Sequence, residues 1–541
     1  MNTRNLFLFV FLAGVAACER NAQPDAGDIE AAEDLIGVSM TDAERELMLE
    51  DIRAQREAYD TLHEFDLPNA LAPALEFDPG FDALPPAEPA WSTAANIERP
   101  ADGALAFMSV AELGALLRGG SLTSVELTNI FLDRIREHDG KLHAVITLTE
   151  DLAREQARRA DAELAAGIDR GPLHGIPYGL KDLAAVPGYP TTWGATPYKE
   201  QVIDDIATVA RRMEEAGAVL IAKTAVGALA WGDVWFGGRT NSPWNIEEGA
   251  SGSSAGSAAG VAAGYFPAAI GTETWGSIVS PSVQNGVTGL RPTFGRVSRH
   301  GVMALSWSMD KVGAICRQPQ DCGMVLDAIR GPDGKDSTVV ASGLAYSPAM
   351  RLADLDLGWL AKDFSGDYPN AANDAKVIAA LQSHGVALKP LALPGLPVES
   401  MSFILSAEAA AAFDSLTRSG RDDLLVRQVQ NAWPNVFRAA RFIPAVEYLQ
   451  ANRLRTRLVD GIEAMFENVD VILAPCFAGN QLLATNLSGH PSLALPNGFD
   501  AEGMPTGICL IARPFHEGDL IVAAREIQRI AGLSVRRPPG Y

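Results

Sequence analysis

Basic residues are in short supply in this sequence, and histidine and cysteine are rarer still. Lysine and arginine number 44 against 67 acids over 541 residues, a formal charge of −23. Nucleic-acid binding depends on clustered Lys and Arg to neutralise phosphates, and no basic run offsets this balance, which argues against nucleic-acid partners. Beyond Cys18 there are only Cys316, Cys322, Cys476 and Cys509. They show neither C-x-x-C spacing nor a companion histidine cluster, so no metal site is expected. A Cys316–Cys322 disulfide and four buried free thiols are both compatible with the spacing. No G-x-x-x-x-G-K-[ST] run occurs, nor G-x-G-x-x-G after a strand, which dismisses a phosphate-cradling loop.

What is present is apolar: 47% of residues are hydrophobic and 21% charged, as in a soluble protein with a large core. The amino terminus carries Arg4, an apolar stretch from Leu6 to Leu12 and a small-residue run from Gly14 to Ala17. That stretch is too short for a permanent span and has the form of a signal peptide. Its ending, Val15-Ala16-Ala17-Cys18, resembles a bacterial lipobox. This makes Cys18 the expected lipidation site and predicts an exported protein whose only membrane contact is that lipid. Glu19 leans towards the periplasmic face of the outer membrane of a two-membrane bacterium.

Residues 19–104 form an acidic extension. Within it "SMTDAERELMLEDIRAQREAYDTLHEF" predicts a helix starting at Thr41. Pro, Ala and Asp then dominate from Leu67 to Ala104, predicting an extended wrap. Regular alternation begins near 105. Ser109-x-x-Glu112 and Thr123-x-x-Glu126 are capping boxes opening amphipathic helices. "HAVITLT", "LHGIPYGLKDL", "AVLIAKT", "VDVILAPCF", "HPSLALP" and "GICLIAR" read as strands between helices. This pattern predicts an α/β fold, with one large domain over 105–541 and a helix-rich variable part at 340–465.

The tract "GASGSSAGSAAGVAAG" at 249–264 has the composition of a linker, yet sits inside this domain. Its formal G-x-S-x-G would make Ser254 a nucleophile only after an apolar strand, and "SPWNIEEGAS" precedes it instead. His300, His384, His490 and His516 have no suitable context for a base. A serine still needs one. Lys181, ending an apolar strand, offers a partly desolvated amine. Ser253 lies among small residues, and Ser277 follows a glycine where consecutive N–H groups can converge on an oxyanion. Lysine relayed through a second serine is the arrangement left.

These three segments resemble the amidase signature family. The G-[IV]-P-x-x-x-K-[DE] segment corresponds to Gly175–Asp182, the G-S-S-G-G stretch to the run at Ser253 with Ala255 in place of a glycine, and the nucleophile motif to Gly271–Ile278. "GLRPTFGRVSRHGVMALSWSMDKVG", "NLSGHPSLALPNG" and "MPTGICLIARPFHEGDL" continue the likeness over roughly 105 to 535. The resemblance implies a mixed, twisted sheet covered by helices. It also implies a Ser277 nucleophile, a cis-Ser253 relay, a Lys181 base, and an oxyanion hole from the N–H groups of Thr274, Trp275, Gly276 and Ser277. No cofactor is implied. Trp275 stands where many members have glycine, and Val279 replaces an arginine that anchors carboxylate-bearing substrates. With Trp231, Trp235 and Trp244 nearby in sequence, this leans towards an apolar or aromatic pocket that includes Trp231, Trp275 and Val279.

Hydrolysis of a small-molecule or peptide amide, an ester or a carbamate is the expected activity. Two alternatives are a lipid-anchored binding scaffold and the A-type component of a tRNA-dependent amidotransferase. Retention of Lys181, Ser253 and Ser277 argues against the scaffold. The leader, the charge and the missing arginine argue against the amidotransferase.

Overall fold

The computed structural model describes residues 23–36, 39–62, 64–65, 67–71, 75–91 and 97–541. The signal segment and Cys18 lie outside them. The chain divides at Leu67 into two compact units.

In the first unit, helices Ala26–Ile36 and Asp42–Leu62 are joined by an ion pair between Arg45 and Glu33 at 2.6 Å. The second helix starts where its cap predicts. Thr41 N–H donates to Glu44 Oε2 at 2.7 Å and Glu44 N–H returns to Thr41 Oγ1 at 3.3 Å.

The second unit, Pro68–Tyr541, is built on one 11-stranded mixed sheet. Its spatial order is Val145–Leu148, Val219–Thr224, Pro177–Lys181, Ala268–Glu273, Lys311–Cys316, Thr288–Arg291, Ser492–Phe499, Pro505–Ala512, Val471–Pro475, Leu357–Trp359 and Leu388–Pro390. Pro177–Lys181 runs parallel to both its neighbours, whereas Ala268–Glu273 pairs antiparallel with Lys311–Cys316. The strands near the middle are buried along their whole length because helices cover both faces, which explains their continuous apolar runs. Both predicted capping boxes open helices, Val110–Arg118 and Ser124–Leu142. Residues 340–465 are helix-rich, but they also supply the two outermost strands of the sheet. Ahead of residue 105, the Pro/Ala-rich segment lies on the domain: Phe77 meets Phe294 edge-on at 5.1 Å and Trp91 stacks on Tyr346 at 4.8 Å.

The Gly/Ala/Ser tract is not a linker. Residues Ala255–Ala262 form a helix with every residue buried. Its glycines are where neighbours come closest. A Cβ on Gly256 would lie 2.1 Å from Ala144 O and 2.4 Å from Ala225 N, both fixed backbone atoms. Small side chains let this helix settle on the sheet at a distance no larger residue permits.

Neither cysteine reading matches the structure. Cys316 and Cys322 are free and buried, and Cys476 is disulfide-bonded to Cys509 with Cα atoms 5.0 Å apart. The sequence spacing hides this pair, because adjacent antiparallel strands bring the two together: Cys509 faces Ala474, two residues before Cys476.

If the tract is packed in this way, Gly256→Ala will lower unfolding free energy in urea by about 1–3 kcal/mol through overpacking. Gly140→Ala, on an open helical surface with nothing near its Cβ, will be neutral or stabilising by up to about 1 kcal/mol.

Candidate active site

Three segments meet at the carboxyl ends of the parallel strands Pro177–Lys181 and Ala268–Glu273. The first strand delivers Lys181, whose side chain is 1% exposed. Its Nζ lies 2.8 Å from Ser253 Oγ, 2.9 Å from Ser254 Oγ and 2.8 Å from Thr272 Oγ1. Burial pushes the amine well below the ordinary lysine range, against the opposing pull of Asp310 and Glu273. Asp182, next in the chain, is turned away to Lys223 at 2.6 Å. The amine is therefore left among hydroxyls rather than in an ion pair.

Ser253 sits in the turn before helix Ala255–Ala262, and the Gly252–Ser253 peptide is cis. Around it the packing leaves no room: a Cβ on Gly252 would be 1.9 Å from Gly232 O. Ser254, rejected above as a nucleophile, is buried and occupied. Its hydroxyl bonds Thr272 O at 3.1 Å and accepts from Thr272 N–H at 3.2 Å.

Ser277 ends the loop that leaves strand Ala268–Glu273, and it retains 9% exposure. Its carbonyl accepts from Ser254 N–H at 3.2 Å, tying the two serine segments together. Glu273 shapes the loop. Its Oε2 accepts the N–H groups of Ile278 and Val279 at 2.7 and 2.9 Å, and its Oε1 accepts from Arg291 and Asn486, both at 2.8 Å. Burial alone would raise this carboxyl, but Arg291, the Val279 N–H and Asn486 hold it below its usual range. Between these anchors, none of the backbone N–H groups of Thr274, Trp275, Gly276 and Ser277 finds an acceptor among the described residues. Thr274 is fixed by its hydroxyl, which donates to Asp310 Oδ1 at 2.5 Å. Burial raises the Asp310 carboxyl, and the N–H groups of Leu305 and Ser306 hold its other oxygen at 2.8 and 3.0 Å.

The three residues read as pocket lining occupy different settings. Trp275 is 44% exposed and projects from the loop. Trp231 meets Trp433 edge-on at 4.7 Å, and Trp433 stacks on Phe437 at 5.1 Å, so the helical part contributes an aromatic wall beside Gly232. Val279 is fully buried, packed with Val283, Cys476, Ala494 and Cys509. Trp235 packs on Phe236, and Trp244 packs on Phe499 while donating to Asn285 O at 2.8 Å.

Sequence reasoning missed the supports: Ser254, Thr272, Glu273, Arg291, Asp310 and Asn486. A signal existed for two of them. Glu273 and Arg291 are charged residues ending apolar strands, and such charges are buried only in pairs.

The amidase family model matches residues 126–483, a span that contains all three segments. The amidase-related component of glutamyl-tRNA(Gln) amidotransferase from Pseudomonas syringae pv. tomato is 33% identical over 80% of this chain and 99% of its own. Among solved structures, native peptide amidase from Stenotrophomonas maltophilia is 30% identical, with a TM-score of 0.68 over 80% of this chain and 98% of that one. An amidase family protein from Bacillus anthracis is 26% identical, with a TM-score of 0.72 over 81% and 94%. Sequence, fold and the meeting of the three motifs agree, and the chain belongs to the amidase family.

Proposed function

We propose that this protein is a serine amidohydrolase that cleaves a carboxamide C–N bond through an acyl-enzyme on Ser277. The observation that carries the reading is the buried Lys181 amine 2.8 Å from Ser253 Oγ. An amine pushed far below its ordinary range is neutral at physiological pH and has a lone pair to accept a proton. Ser277 Oγ attacks the amide carbonyl carbon while its proton passes to Ser253 Oγ and that of Ser253 to Lys181 Nζ. The tetrahedral oxyanion falls among the unspent N–H groups of residues 274–277. Its collapse breaks the C–N bond, and the relay runs backwards to protonate the leaving amine. Water then enters by the same route and releases the acid.

The exposed Trp275 and the aromatic wall at Trp231 and Trp433 favour an apolar or aromatic group beside the scissile bond. With Val279 buried among apolar side chains, no cation stands there to hold a substrate carboxylate. The tRNA amidotransferase name belongs to relatives, and the charge of −23 disfavours a tRNA partner here. Export and lipidation at Cys18 are part of the same proposal. The Cys476–Cys509 disulfide suits an oxidising compartment.

Turnover of a panel of aryl, acyl and peptide carboxamides, with an ester and a carbamate, tests the activity. Ser277→Ala and Lys181→Ala are each expected to lower kcat by about 10⁴-fold or more, and Ser253→Ala by about 10²–10⁴-fold. If Ser277→Ala retains wild-type turnover, the assignment fails.

The pH profile gives a second test. Protonation removes the lysine lone pair, so kcat/KM should fall as pH drops through the depressed Lys181 pKa and should level off above it. A rise seen only as pH approaches the ordinary lysine range would contradict a desolvated base. For the leader, expression in a two-membrane bacterial host with radiolabelled palmitate should label the wild type and not Cys18→Ser. Equal labelling of both would remove the lipobox reading.

A further inference from the structure

A cavity of about 350 Å³ lies among Phe107, Ser109, Glu112, Arg317, Gln318 and the tail segment 533–537. It is far from Ser277. Arg317 follows strand Lys311–Cys316 at the end opposite Asp310, and six strand residues at about 3.3 Å each separate the two by roughly 20 Å.

Its charge is unusual for so acidic a protein. Three guanidiniums (Arg317, Arg536 and Arg537) line it against one carboxylate, Glu112. Glu112 is engaged by its own helix cap, where Oε2 accepts from Ser109 N–H and Oγ at 2.8 and 2.7 Å. A fourth guanidinium, Arg134, stands on the same ring as Arg317 and Arg537. Their distances from the Phe107 centroid are 5.2, 5.9 and 4.6 Å. None of the four makes an ion pair among the described residues, although arginines elsewhere commonly do, such as Arg118 with Asp169 and Arg299 with Asp336. Arg317 is 3% exposed; its Nη atoms donate to Val261 O, Phe266 O and Met108 O, and its Nε has no acceptor. Asp321, buried beside Arg317, is raised to about 7 by desolvation, so it offsets little of this charge at neutral pH. Like charges gathered round one ring repel, and an anion in the cavity removes the repulsion.

We propose that this cavity binds a phosphate monoester dianion carrying a small apolar or aromatic group, at a site separate from Ser277 and independent of the amidase reading. The lining has an excess of two positive charges, which matches a dianion. Guanidinium forks match phosphate oxygens in geometry. Phe107, Leu533 and Val535 offer apolar wall for the organic part, and the volume lies within the range of small-molecule sites.

The test titrates phenyl phosphate into the full chain by calorimetry at low ionic strength, beside the double variant Arg536→Ala/Arg537→Ala. Both arginines are exposed on the tail, so circular dichroism and amide hydrolysis should be unchanged in that variant. Saturable binding is expected, weakened about tenfold or more in the double variant, and weakened again by salt. Vesicles of phosphatidic acid and of phosphatidylcholine form a second arm. Arginine-dependent binding to phosphatidic acid alone assigns the site to a lipid headgroup, and binding of phenyl phosphate assigns it to a free ester. Benzoate bound as tightly as phenyl phosphate, or no arginine-dependent binding to either phosphate probe, overturns the proposal.

Discussion

The dehydration of Lys181 is the constraint to which the rest of the site answers. A lysine in water keeps its proton, and one beside a carboxylate keeps it more firmly. Here the amine ends a strand buried under helices, and Asp182, the acid nearest in sequence, is bound to Lys223. What Lys181 meets instead is oxygen that carries no formal charge: Ser253, Ser254 and Thr272. These satisfy a buried polar group without holding its proton in place. The tract at 249–264 follows from the same need. Two serines must reach the amine from a chain lying against the sheet, and only Gly, Ala and Ser are small enough to bring it there.

A second buried charge sets the loop. Glu273 and Arg291 are both removed from water, an arrangement that seldom adds stability relative to apolar residues of similar size. Its effect is geometric. The carboxylate takes the N–H groups of Ile278 and Val279, where helix Val279–Asn285 begins, and Asp310 holds Thr274 at the other end. A loop pinned at both ends leaves its intervening N–H groups facing one space with no internal partner. Donors held in advance of a developing charge need no reorganisation when it forms.

Most of this was legible in the sequence, for identifiable reasons. Capping boxes are local, so the helices opening at Ser109 and Thr123 begin where the pattern puts them. Lys181, Ser253 and Ser277 stand in motifs dense with glycine, where backbone geometry limits what else can fit. Pairings between distant segments were not legible. The Cys476–Cys509 bond depends on strand register, and the Glu273–Asn486 contact joins residues more than two hundred positions apart. The two outer strands within 340–465 are three residues each, too short to show a period. Val279 illustrates a different limit. Its position beside the nucleophile suggested a pocket, but as the first residue of a helix it turns into an apolar cluster around the disulfide.

The distribution of these residues along the chain separates reaction from selection. Lys181, Ser253, Ser277 and the groups that brace them come chiefly from strand ends between 177 and 311, with Asn486 added from a later helix. The aromatic wall comes from elsewhere: Trp433 and Phe437 belong to helix Trp433–Ala440, and they meet the site through Trp231. The link is narrow, because Trp231 adjoins the relay only through the backbone of Gly232 packed on Gly252. Changes in the helical part therefore reshape what lies beside the scissile bond without moving the lysine or its serines. One set of proton-transfer groups can thus serve different substrates as the wall varies. This is also why motifs that identify the chemistry so well say little about which amide is cut.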